Sequence, residues 1–130
     1  MKTTGALIFE SNCENKCLFC GASNTEKPPE PLPIKIQEIN IYKNIQEFLK
    51  KGINNIEISG SDPIEYNKLI PLIKYLKFKG FYHIMLSTHG MKISEIQYAK
   101  ELIESGLDTV RIPIYGSNAE IHDSITQNPD

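Results

Sequence analysis

Apolar residues recur along the chain in two periods, and the switching between them sets out the elements. A short apolar run bounded by polar residues predicts a first strand over Thr4 to Glu10. A helix is predicted over Ile34 to Lys51, with Ile41, Ile45, Phe48 and Leu49 on one face and Gly52 as its stop. Asn55 to Ser59 alternates as a strand. Glu65 to Lys79 returns to the helical period, with Leu69, Leu72, Ile73 and Leu76 inward. Pro71 lies inside that pattern and predicts a late start or a kink. Phe81 to Ser87 reads as a third strand, Ile93 to Ser105 as a third helix, and Asp108 to Tyr115 as a fourth strand. Arg111 and Tyr115 then share one strand face by period two. Ser117 to Thr126 begins a fourth helix.

The order is therefore β-α-β-α-β-α-β followed by a helix start. Strands separated by helices of this length favour parallel pairing through right-handed crossovers. The expected fold is α/β, a parallel sheet of about four strands with flanking helices. In such a sheet the turns that follow the strands open on one edge, where ligands bind. Those turns are the loop after Glu10, Gly60-Ser61-Asp62-Pro63, Thr88-His89-Gly90 and Tyr115-Gly116-Ser117. The stretch from Asn24 to Pro33 holds four of the eight prolines and reads as an extended loop.

Composition changes this picture little. The 130 residues suffice for one domain with a modest core, and 40% hydrophobic and 23% charged residues are ordinary for a soluble protein. A formal charge of −2 carries no nucleic-acid signal. Gly5-Ala6-Leu7-Ile8-Phe9 is too short for a signal-peptide core or a membrane span, so a cytoplasmic protein is expected.

The cysteines change it more. Cys13, Cys17 and Cys20 are all the cysteines of the chain, with three residues and then two between them. In a reducing compartment such a set is a poor disulfide framework and a good metal or redox candidate. Three thiolates can hold one face of a cubane iron–sulfur cluster, leaving the fourth iron open to a non-protein ligand. The competing reading is a zinc site of three cysteines and one histidine, with His83, His89 or His122 as the fourth ligand. Paired half-sites are usual for zinc, and one is present here. His122 and Asp123 also read as helix-start capping and packing residues, and His89 as either a turn-stabilising residue or one facing a ligand.

Cys13-x-x-x-Cys17-x-x-Cys20, with Phe19 before the last cysteine and Gly21 after it, resembles the motif of the radical S-adenosylmethionine superfamily. Gly60-Ser61-Asp62-Pro63 is similar to the Gly-Gly-Glu-Pro turn of that family, with Ser61 for a glycine and Asp62 for the glutamate. Ser87-Thr88-His89-Gly90 resembles its Thr-Asn-Gly turn, with His89 at the asparagine. Arg111 to Gly116 and His122-Asp123-Ser124-Ile125-Thr126 resemble its fourth strand and following helix start, with Pro113 where a serine is frequent.

The resemblance implies a 4Fe-4S cluster held by Cys13, Cys17 and Cys20 and S-adenosyl-L-methionine on its open iron. It implies adenine contact around Phe19, and cofactor contacts at Gly60, Ser61, Asp62, Pro63, Ser87 and Thr88. The activity implied is reductive cleavage to a deoxyadenosyl radical that abstracts hydrogen from a substrate. A one-electron donor of the flavodoxin or ferredoxin type is implied as partner. The start of the helix at His122 is similar to that of members that act on peptides or carry an extra-cluster C-terminal domain. The fold implied is the first half of a (β/α)6 partial TIM barrel, with residues 1–130 as a single incomplete core domain from the first strand to the start of the fourth helix. The chain is accordingly expected to be the N-terminal part of a longer protein. A truncated, non-catalytic module is the alternative class.

Overall fold

The computed structural model describes residues 3–11, 13–20 and 30–129. Gly21 and the part of the proline-rich stretch from Asn24 to Pro29 lie outside the described residues. Four strands, β1 (Thr4–Phe9), β2 (Asn55–Gly60), β3 (His83–Ser87) and β4 (Thr109–Arg111), form one sheet in the order β1-β2-β3-β4. All three pairings are parallel, with Leu7 opposite Ile58, Ile58 opposite Leu86 and Leu86 opposite Val110. The helices between and after them are α1 (Ile34–Lys50), α2 (Leu69–Phe78), α3 (Ile96–Glu104) and α4 (Ala119–Thr126). The predicted α/β order and parallel pairing hold.

Alternation decides which face of the sheet is covered. Leu7, Phe9, Ile56, Ile58, Ile84 and Leu86 point one way and are buried against Ile41 and Ile45 of α1 and Leu72, Ile73 and Leu76 of α2. Each such side chain contributes about 1.5–3 kcal/mol relative to exposure. The intervening positions form the other face, where Ile8, Glu57, Met85 and Ser87 are half-buried or exposed.

Several bounds differ from the sequence reading. The second helix begins at Leu69 rather than Glu65, because Asp62 caps a separate 3-10 turn, Pro63–Glu65, through the Ile64 amide. Pro71 then falls in the first turn of α2, where backbone amides have no helical partner to lose, so no kink is needed. Met91–Ser94 forms another 3-10 turn, closed by the Ser94 hydroxyl donating to the Met91 carbonyl, and α3 starts after it. Phe81 is buried but precedes β3, since its amide bonds the Leu76 carbonyl at the end of α2.

The fourth strand ends at Arg111 rather than Tyr115, so Arg111 and Tyr115 do not share a strand face. Pro113 has no amide to extend the ladder. On α1, Leu49 is exposed while Gln37 takes a buried place. No helix among the described residues is long and apolar enough to cross a membrane.

Candidate functional site

The cysteine loop leaves β1 at the carboxyl edge of the sheet and is clamped at its start by Gln37. The Gln37 side chain accepts from the Glu10 amide at 2.9 Å and donates to the carbonyls of Glu10 at 2.8 Å and Leu32 at 2.7 Å. Both ends of a buried amide are thereby satisfied, which explains a polar residue on the inward face of a helix. Farther along, the Lys16 and Leu18 amides donate to the carbonyls of Thr126 at 2.9 Å and Ile125 at 3.0 Å. The last turn of α4 thus supplies orphan carbonyls to the cysteine loop.

Cys13, Cys17 and Cys20 are all half-buried on this loop. The Cys20 amide closes a turn on the Cys17 carbonyl at 3.0 Å. Burial, and then the neighbouring Cys13 and Cys20 sulfurs, push the Cys17 thiol above its ordinary value. Among the described residues, no group of three or more His, Cys, Asp or Glu is gathered tightly enough to grip an ion as it stands. The donor set suits an iron–sulfur cluster by its chemistry: three thiols on one partly exposed loop pinned at both sides.

The turn after β2 lies directly against this loop. Gly60 has φ of 128°, and a Cβ there would stand 1.9 Å from the Phe9 carbonyl oxygen. Only glycine permits that approach of two backbones. The Ser61 amide continues the pairing by donating to the Phe9 carbonyl at 3.0 Å, and the Asp62 amide reaches the Ser11 hydroxyl at 3.4 Å. Pro63 is buried at the start of the 3-10 turn.

Asp62 is fully buried, and its Oδ2 lies 2.5 Å from His89 Nε2. Burial pushes the Asp62 carboxyl up, but His89, the Thr88 hydroxyl and the Ile64 amide together outweigh it and hold the group below the usual aspartate value. His89 is drawn upward to about 10, first by its bond to Asp62 and then by the Cys13 thiol, its other neighbour. The turn that carries it is set by Thr88, whose amide bonds the Arg111 carbonyl and whose hydroxyl accepts from the Gly90 amide. Gly90 is left-handed, with φ of 93°. Ser11, Asp62, Thr88 and His89, from the ends of three strands, are thus brought together.

The other predicted site residues are placed differently. The Ser87 side chain turns onto the open sheet face, donating to Glu57 Oε1 and accepting from Arg111 Nε, both at 3.1 Å. Arg111 also bonds Glu57 directly, so it points across the sheet to a carboxylate rather than outward. Phe19 packs edge-on against Tyr115, with ring centroids 4.8 Å apart, and Tyr115 stacks on His122 at 5.7 Å. His122 does not cap α4; Asn118 does, through the Ile121 amide. The His122 ring instead accepts from the Tyr115 amide. His83 sits beside Thr109 within the sheet. His89 instead sits against the Asp62 carboxylate at the sheet edge.

Three participants were missed from sequence: Gln37, Glu57 and the α4 carbonyls. Gln37 left one signal, a polar residue one turn before Ile41 on the apolar face.

The chain is similar to several known proteins. A probable GTP 3',8-cyclase of Methanococcus aeolicus is 33% identical over 119 residues, covering 88% of this chain and 38% of that protein. The GTP 3',8-cyclase of Peptoclostridium acidaminophilum is 30% identical over 121 residues, covering 88% of this chain and 35% of its own length. The 7,8-dihydro-6-hydroxymethylpterin dimethyltransferase of Methanocaldococcus jannaschii is 32% identical over 109 residues, 82% of this chain and 21% of that protein. The chain thus spans between about a fifth and two-fifths of the length of these relatives. A profile described as the Radical SAM superfamily matches residues 7–130, and the chain belongs to that superfamily.

Proposed function

We propose that this chain carries the cofactor-binding half of a radical S-adenosylmethionine enzyme. Cys13, Cys17 and Cys20 hold a 4Fe-4S cluster, and S-adenosyl-L-methionine binds over it. When bound, the cluster and cofactor supply a deoxyadenosyl radical that abstracts hydrogen from a substrate. The observation that carries the reading is the convergence of the cysteine loop with the Gly60–Pro63 and Thr88–Gly90 turns at one sheet edge.

The chain's own residues would do the following. Gly60 and Ser61 present backbone at close approach to the cofactor's amino group, which the absence of a Cβ at Gly60 allows. Asp62 and Thr88 fix the two turns relative to one another. Phe19, more than half exposed and steadied on Tyr115, offers an aromatic face and main chain to the adenine. Gln37 and the α4 carbonyls orient the loop. A flavodoxin- or ferredoxin-type donor supplies the electron. For the substrate, the helix start at His122 favours a peptide, and the names of the relatives favour a purine- or pterin-like heterocycle.

The alternative is zinc on the three cysteines with a histidine as fourth ligand, and the placement of His89 at the same sheet edge as the cysteine loop, on Asp62, favours it. Anaerobic incubation with iron and sulfide separates the readings. The cluster reading expects a broad cluster absorbance that is lost in each of Cys13→Ala, Cys17→Ala and Cys20→Ala. Stoichiometric zinc without iron uptake would overturn it.

A further inference from the structure

The sheet face turned away from the helices carries three polar side chains bonded to one another. Glu57, Ser87 and Arg111 stand on β2, β3 and β4, with Met85 opposite Glu57 and Ser87 opposite Arg111. Ser87 Oγ donates to Glu57 Oε1 and accepts from Arg111 Nε, both at 3.1 Å. Arg111 Nη2 reaches past Ser87 to bond the same Oε1. Parallel sheets are ordinarily covered on both faces, and where they close into a barrel, branched apolar side chains pack the inner face. A carboxylate, a hydroxyl and a guanidinium suit a polar ligand there rather than a packed core.

The set is satisfied on one side only. Every contact on the carboxylate falls on Oε1, and Arg111 uses Nε and Nη2. Among the described residues, Glu57 Oε2 accepts no hydrogen bond and Arg111 Nη1 donates none. Both side chains are reachable, at 23% exposure for Glu57 and 58% for Arg111. Because the two groups touch, a spare acceptor lies beside a spare donor on a pair with no net charge. An anion would meet Glu57 and a cation Arg111, so a neutral ligand fits best. It needs an N–H and a C=O side by side on one edge. A ring lactam has that edge because its amide is cis, whereas a trans peptide bond points the two groups in opposite directions. Ile8 and Met85 share this sheet face and offer apolar surface on which a flat ring can rest.

We infer that Glu57 and Arg111 form a specificity-determining subsite for a nitrogen heterocycle with a lactam edge. The carboxylate accepts from the ring N–H, and the guanidinium donates to the ring carbonyl. The inference rests on the function proposed above and narrows its substrate to a ring rather than a peptide.

The test is a nuclear magnetic resonance titration of the isotope-labelled, metal-free 130-residue chain. Three probes are used: inosine, which has the lactam edge; 1-methylinosine, whose ring N–H is blocked; and N-methylacetamide, a trans amide. Inosine is expected to shift the amides of Met85, Ser87 and Arg111 in a saturable way. The methylated probe should bind at least about tenfold more weakly, because Oε2 then has no donor to accept from. N-methylacetamide should leave these amides unshifted. Glu57→Gln, which turns an amide N–H toward the ring, should weaken inosine binding by a similar factor. If that variant does not fold, the probe series on the wild-type chain decides. Equal affinity for inosine and 1-methylinosine, or no shift with inosine up to its solubility, would overturn the inference. Since no metal is present, cluster uptake without inosine binding defeats this inference alone. Inosine binding by a chain that takes up no cluster defeats the cluster reading alone.

Discussion

The Lys16 amide donates to the Thr126 carbonyl at 2.9 Å, seating the cysteine loop on the last turn of α4. Asn128 reinforces the seat by donating to Asn15 Oδ1 at 3.0 Å across 113 residues of sequence. Thr126 is itself buried, so the contact is not a surface accident. The loop that bears the three cysteines thus rests on the helix farthest from it in the chain.

Asn118→Ala tests that dependence. The Asn118 side chain caps α4 by accepting from the Ile121 amide at 3.0 Å, and losing such a cap costs about 1 kcal/mol. Hydrogen exchange should accelerate in α4 and, together with it, at the amides of Lys16 and Leu18. Fraying of α4 with unchanged exchange at those two amides would show that the loop does not rest on the helix.

Gly60→Ala is expected to destabilise the chain by at least about 3 kcal/mol, because a Cβ 1.9 Å from the Phe9 carbonyl cannot be accommodated without separating β1 from β2 at the site edge. Urea denaturation measures it. A loss under about 1 kcal/mol would mean that the strand ends move apart freely.

The two faces of the sheet should respond differently. Ile58 is fully buried, whereas Ile8 is 55% exposed on the opposite face. Ile58→Ala should cost about 2–5 kcal/mol and Ile8→Ala no more than about 0.5 kcal/mol. Equal costs in denaturant titrations would mean that the second face is also covered in the folded chain.

Asp108 supplies a pH signature. Its Oδ2 accepts from Lys77 Nζ at 2.6 Å and from the Ile84 amide at 2.7 Å. Burial raises this carboxyl, but Lys77 and the Ile84 amide outweigh burial and leave it below its ordinary value. A carboxyl depressed in the folded state adds stability above its unfolded pKa of about 4, and that stability is lost as pH falls through the folded value. Asp108→Asn should therefore cost about 1 kcal/mol at neutral pH, a modest figure because the pair is partly exposed. The gap from wild type should close below about pH 4. A gap independent of pH would show that the charge contributes nothing.

Much of the fold was legible because apolar periods report burial. Leu69, Leu72, Ile73 and Leu76 are all inward as the helical period predicts. The shared edge of the turns followed from parallel pairing alone. The short range of β4 was less legible, since Val110, Ile112 and Ile114 continue the alternation past the point where Pro113 ends the ladder. The bonds that shape the site were not legible. Gln37 to Glu10, Asp62 to His89, Glu57 to Arg111 and Lys16 to Thr126 each join distant residues through polar groups, and such pairing leaves no period in the sequence.

In the proposed function, Cys13, Cys17 and Cys20 leave an open iron for S-adenosyl-L-methionine. The most direct test is the electron paramagnetic resonance spectrum of the anaerobically reconstituted, reduced protein, recorded with and without the cofactor. A 4Fe-4S signal whose shape shifts when S-adenosyl-L-methionine is added is expected. A cluster signal that the cofactor leaves unchanged would contradict the proposed function.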